Sequence, residues 1–144
     1  MNPVKVGIQL LLSASLLMSV IGIAGKNANA TELLERTERT ITYVSGGVGD
    51  EEKAAMDGKR KNYNLWLTFA TKKTGEYQAD VKLTITDSQA NTLFEVAGLG
   101  PLVNLKLPPG QYKLEAGLRG KVQSRPVHIK ADGGTELVFR WEGE

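Results

Sequence analysis

Tyr63-Asn64-Leu65-Trp66-Leu67-Thr68-Phe69 puts an apolar side chain at every second position, and that pattern decides the fold class. Two is the period of a strand, because successive side chains leave an extended backbone on opposite faces. Tyr63, Leu65, Leu67 and Phe69 therefore share one face, and Asn64, Trp66 and Thr68 share the other. Downstream, Lys72-Lys73-Thr74-Gly75 turns the chain, and Val81, Leu83 and Ile85 then alternate with Lys82, Thr84 and Thr86. Further runs are predicted at residues 92–97, 102–107, 111–118, 120–130 and 135–141. Tyr112, Leu114 and Ala116 point inward, and Trp141 continues the face of Leu137 and Phe139. The runs are separated by residues 87–91, 98–101, Pro108-Pro109-Gly110, Arg119-Gly120 and Asp132-Gly133-Gly134, all rich in turn formers. About seven or eight short strands with no helical period in the later part of the chain predict an all-β, antiparallel sandwich.

Upstream, Thr40-Ile41-Thr42-Tyr43-Val44 reads as a short strand stopped by Ser45-Gly46-Gly47-Val48-Gly49. Residues 50–61 open with Asp50-Glu51-Glu52 and close with Lys59-Arg60-Lys61, the charge order that suits a helix dipole. One short N-terminal helix is predicted there. Residues 31–39 offer only Leu33 and Leu34 for burial and read as a flexible or weakly helical lead-in.

Residues 1–30 have the three parts of a secretory signal peptide: a short start with Lys5, an apolar run over residues 6–25, and Ala28-Asn29-Ala30 as a small-x-small cleavage signal. Cleavage after Ala30 predicts a periplasmic or secreted product with no stable membrane anchor. An uncleaved anchor helix is the alternative, since the apolar run approaches the ~20 residues that cross a bilayer. Gln9 and the serines and glycines within the run count against it. The chain has no cysteine, which excludes disulfides and a lipid-modified cysteine at the new terminus. The leader takes Lys5 and Lys26 with it, leaving 16 bases against 16 acids, so nothing argues for a nucleic-acid surface. Residues 31–144 have the length of one domain.

Ala79-Asp80-Val81-Lys82-Leu83 with Asp87-Ser88-Gln89-Ala90-Asn91, followed by Leu107-Pro108-Pro109-Gly110-Gln111-Tyr112-Lys113-Leu114, resembles the carboxypeptidase regulatory-like domains. Tyr43-Val44-Ser45-Gly46-Gly47-Val48-Gly49 is similar to a motif of small exported proteobacterial proteins that contain such a domain. The resemblance covers residues 43–141. It implies a transthyretin-like (prealbumin-like) sandwich over residues 40–144 and a non-catalytic accessory or binding role, and it carries no functional residues over. The prolines fix the backbone entering a turn, Gly110 permits a positive φ, and Tyr112 then reaches the core face.

The candidate chemistry is sparse. His128 is the only histidine, and the alternation of Pro126-Val127-His128-Ile129-Lys130 turns it outward. A zinc site or a Cys-His pair is excluded by composition, and a Ser-His-Asp arrangement would have to use His128. Gly47-x-Gly49 lacks the third glycine and the Gly-Lys-Ser/Thr of a phosphate loop, and the acids that follow oppose an anion. Those acids with Asp57 lack the alternating spacing of a calcium loop. No paired carboxylates flanked by aromatics suggest glycoside cleavage. No enzyme activity, catalytic residue, metal or cofactor is predicted.

Trp66 stands on the polar face of its strand. Either it is an open platform for a sugar ring or a partner side chain, or the 50–61 helix covers it with Met56 or Val48. The predicted interaction surface is Ser45, Gly46, Gly47, Gly49 and Trp66, with the loops at 87–91 and 98–101. The sequence thus points to a non-enzymatic envelope binding module whose partner is an envelope protein or glycan. The alternatives are a small hydrolase or hydrolase-associated subunit, and a structural subunit forming homo-oligomers through open sheet edges.

Overall fold

A computed structural model describes residues 32–143. The expected signal peptide and its cleavage point lie outside the described residues. Among the described residues, no helix is long and apolar enough to cross a membrane.

The described chain forms an all-β sandwich of two sheets with a single α-helix. The strand that decided the fold class is β3 (Leu65–Thr71), and it sits inside the first sheet. That sheet has the order β1-β2-β6-β3-β9, with β1 at Arg36–Glu38, β2 at Ile41–Gly46, β6 at Leu102–Lys106 and β9 at Thr135–Trp141. The second has the order β5-β4-β7-β8, with β4 at Val81–Asp87, β5 at Thr92–Leu99, β7 at Gly110–Leu118 and β8 at Lys121–Ile129. Helix α1 (Gly49–Lys59) and a 3-10 turn (Arg60–Asn62) lie between β2 and β3.

The alternating residues face one another across the two layers. Leu65, Leu67 and Phe69 of β3 meet Val81, Leu83 and Ile85 of β4, together with Phe94, Val103, Leu105, Leu114 and Phe139, all nearly inaccessible to solvent. Each such side chain contributes about 1.5–3 kcal/mol on burial. Tyr43 packs edge-on against Phe94 with ring centroids 5.0 Å apart, and Phe69 lies 5.9 Å from both Phe139 and Trp141. Tyr112 is buried as the alternation demands, and its hydroxyl donates to the Pro108 carbonyl at 2.7 Å, closing the Pro-Pro-Gly turn.

Several expectations change. The sandwich is antiparallel at every described strand pair but one: β9 runs parallel to β3, with Leu65 opposite Thr135 and Thr71 opposite Trp141. β8 and β9 belong to opposite sheets, so residues 130–134 carry the chain across the layer, and its direction of arrival fixes that of β9. Side-chain alternation carries no information on strand direction. Among the described residues nine strands form rather than seven or eight, because β1 falls within the expected lead-in, and the sandwich therefore begins before residue 40. The helix starts one residue early and tightens to a 3-10 turn at Arg60. Tyr63 joins neither strand face. It is buried with Val44 and Met56 in a second, smaller cluster on the outer side of the first sheet, to which Leu33, Trp66 and Leu102 add.

The long sides of the sandwich are closed by side chains that reach across to exposed backbone. From β8, Arg125 donates to the Val138 carbonyl of β9 at 2.7 Å, and Gln123 donates to the Arg140 carbonyl. On the opposite side Arg39 donates to the Thr92 carbonyl at 2.5 Å, and Glu38 accepts from the Glu95 N–H at 3.3 Å. Edge strands with unpaired polar groups invite pairing with another chain, and inward-turned polar side chains of this kind oppose it.

Candidate functional site

Residues 45–49 are held in place from four directions. Ser45 and Gly46 complete β2 against Val103 and Leu102 of β6. Gly47 has φ 105°, and a Cβ there would lie 2.8 Å from Leu102 Cγ. Val48 occupies the N-cap position of α1 without a capping side chain. The cap comes from inside the helix: the Glu52 carboxylate accepts from the N–H groups of Gly47 at 3.0 Å and Val48 at 3.1 Å. Two of the amides that a phosphate loop would present to its anion are therefore occupied by the protein's own carboxylate.

Ser45 also ties this loop to a second one. Its hydroxyl accepts from the Gly100 N–H at 2.8 Å, and a Cβ on Gly100 would lie 2.8 Å from the Gly46 carbonyl oxygen. The loops at 45–49 and 98–101, both singled out in the sequence, thus meet. β5 carries a bulge here, since Val81 pairs with Leu99 but Leu83 pairs with Val96, leaving Ala97 and Gly98 opposite one residue of β4. Between the bulge and the end of β2 lies an open notch of about 420 Å³. Its wall combines apolar Val48, Val96 and Leu99 with Arg36 and Glu52, and Val48 is 65 % exposed. Gly49, at the start of α1 with φ 83°, is not part of the wall.

Trp66 stands apart from this notch and is half-buried, and of the two readings offered for it the covered one fits its surroundings. The indole N–H donates to the Arg60 carbonyl at 3.0 Å, and the Arg60 guanidinium lies 4.4 Å from the ring centroid while bonded to Glu136 at 3.0 Å. Gly134 packs so close that a Cβ there would overlap Cη2 of the indole. Met56, the single buried residue of α1, shares its cluster. Val48, the other side chain considered as a cover, points to solvent instead. Trp66 still borders a cleft of about 230 Å³ beneath α1, opposite Tyr77, whose ring has Lys53 Nζ 4.9 Å from its centroid.

The loop at residues 87–91 is an Asx turn closed on itself. Asp87 Oδ1 accepts from the N–H groups of Gln89 and Asn91, both at 2.9 Å, and Oδ2 accepts from the Asn91 side chain at 3.1 Å. The Asn91 backbone N–H foremost, with its side chain and the Gln89 N–H, holds the carboxyl below its usual 3.8. His128 is exposed on β8 and takes a 2.7 Å hydrogen bond from Gln111 at Nδ1. Among the described residues, no three His, Cys, Asp or Glu side chains are grouped so as to hold a metal ion.

Sequence reading missed Arg36, Val96 and the role of Glu52. An acid-rich first helical turn behind an N-cap that cannot cap was the available signal for Glu52; Arg36 and Val96 are brought to the notch by sheet pairing alone. Comparison with protein-family models and with curated proteins gives no match.

Proposed function

We propose that this chain is an exported, non-enzymatic binding module of the bacterial envelope, with the notch between residues 45–49 and 96–100 as its working surface. The observation that carries the reading is the meeting of two glycine-bearing loops, locked by Ser45 and Glu52, around a wall of exposed Val48 and Arg36 with half-buried Val96 and Glu52. A preformed depression where a few apolar side chains meet polar and charged groups offers a place for recognition. The transthyretin-like assignment belongs to the same proposal and rests on the resemblance over residues 43–141, with the Pro-Pro-Gly turn that delivers Tyr112 to the core. Export rests on the leader's sequence. The non-enzymatic reading is supported by the position of His128, the one residue a histidine-dependent hydrolysis would need, on an exposed face bonded to Gln111.

The test is cross-linked capture from the native envelope with the tagged product, beside Val48→Asp and Ala97→Trp variants that alter the notch without entering the core. One protein or glycan bound by the wild type, lost in both variants and rebound after purification would support the reading. An identical profile for all three would remove the notch as the surface.

A further inference from the structure

The segment at residues 32–38 is attached to the rest of the domain as a separate piece. Its pairing with β2 is three residues long, Arg36 opposite Tyr43, Thr37 opposite Thr42 and Glu38 opposite Ile41. Continuing that register places Leu33 opposite Gly46, and the Leu33 side chain is there: a Cβ on Gly46 would lie 3.0 Å from Leu33 Cδ2. Leu33 completes the outer cluster of Val44, Met56 and Tyr63. The Tyr63 hydroxyl donates to the Glu35 carboxylate at 2.5 Å. Leu34, between these anchors, is 67 % exposed. The groove along β2 is thus shaped for a leucine followed two residues later by a carboxylate.

The link between segment and groove is the turn at Arg39 and Thr40, and Arg39 has φ 59° without being glycine. This is a conformation that L side chains adopt rarely, and opening the turn to extended backbone relieves it. A short strained hinge joining β1 to its groove favours exchange of that strand between identical chains, because the second chain remakes the same contacts.

We propose that residues 32–38 exchange between two copies of this chain, each seating the other's Leu33 against Gly46 and the other's Glu35 against Tyr63. The resulting dimer is closed and two-fold, and it leaves the edges capped by Arg125 and Gln123 untouched. It does not depend on what the notch binds.

The test uses the absence of native cysteine. In a Thr37→Cys/Thr42→Cys variant, exported from the full chain, the two positions face each other across the β1–β2 pair at a separation of about 4.5–5.5 Å, which suits a disulfide. After incubation at rising concentration and then oxidation, exchange gives a covalent dimer with two bridges and no free thiol, its share growing with concentration. Arg39→Gly in the same background, which removes the hinge strain, should lower that share several-fold. Bridges formed only within one chain at every concentration, or dimers indifferent to Arg39→Gly, would overturn the proposal. So would a bridge from the thiol introduced at position 42 to a different protein, which would assign the groove to a foreign strand. Light scattering on the unmutated product gives an independent check: a strictly monomeric mass up to millimolar concentration refutes exchange.

Discussion

Glu52 lies five residues past Gly47, and its carboxylate accepts the Gly47 N–H at 3.0 Å, so an acid inside α1 caps the helix that Val48 leaves uncapped. Losing such a cap costs about 1 kcal/mol. Glu52→Ala should lower stability by that amount in denaturant titration and speed amide exchange at Gly47 and Val48. Glu52→Gln, which keeps an acceptor oxygen, should recover part of both.

Met56 is the single buried residue of α1, at 1 % exposure. Met56→Ala opens a cavity in the outer cluster, for which about 2–3 kcal/mol is the expected loss. The main core does not include Met56, so the far-ultraviolet signal of the sheets should persist while Trp66 emission shifts toward that of a solvated indole. An unchanged emission spectrum would mean that α1 stays seated without Met56.

Gly134 and Trp66 touch without room for a methyl group. Gly134→Ala should therefore cost about 1–3 kcal/mol through displacement of the indole. Adding Trp66→Ala should make the two losses clearly less than additive in a double-mutant cycle followed by thermal unfolding. Strict additivity would contradict the contact.

Arg125 and Gln123 occupy backbone carbonyls of β9 that would otherwise face solvent at the sheet edge. The double change to Ala should cost little stability, on the order of 1 kcal/mol, because both bonds are partly solvated. Its main effect should be concentration-dependent association beyond the two-fold dimer in light scattering, with larger species that the parent does not form under the same conditions.

Tyr63 retains its proton well above the usual tyrosine value of 10.0, first because burial disfavours the phenolate and then because of the Glu35 carboxylate. Tyr112 is raised in the same direction by burial, with a smaller contribution from Asp87. Since the folded pKa exceeds the unfolded one, the associated stability is fully present below pH 10 and declines as the unfolded chain ionises above it. Tyr63→Phe should flatten the loss of stability measured by denaturant titration on the alkaline side, and a slope equal to that of the parent would show that Tyr63 ionises freely.

Period-two alternation was enough to identify β3 to β9 and to place Leu83, Tyr112, His128 and Trp141 on the correct faces, because which face a side chain takes is local to its strand. The charge order of residues 50–61 located α1 for a similarly local reason. Strand direction, by contrast, leaves no trace in alternation, and the parallel β3–β9 pair emerged only from the crossing of residues 130–134 between layers. Residues 31–39 look too polar to fold by themselves. They gain β1 because the edge of β2 and the outer cluster supply the partners that their own sequence lacks.

Trp66 shows the same division. Its sequence position fixed it on the outer face of β3; whether that face is open depended on α1 with the adjoining Arg60 and on the distant Gly134. The notch is likewise non-local. The sequence marked residues 45–49 and 98–101 as separate turns, and only the pairing of β2 with β6, which sets Gly46 opposite Leu102, together with the Ser45–Gly100 hydrogen bond, made them a single surface. Local periodicity and turn chemistry therefore determined the all-β class and the faces of the strands, while contacts between residues distant in sequence decided direction, coverage and the site.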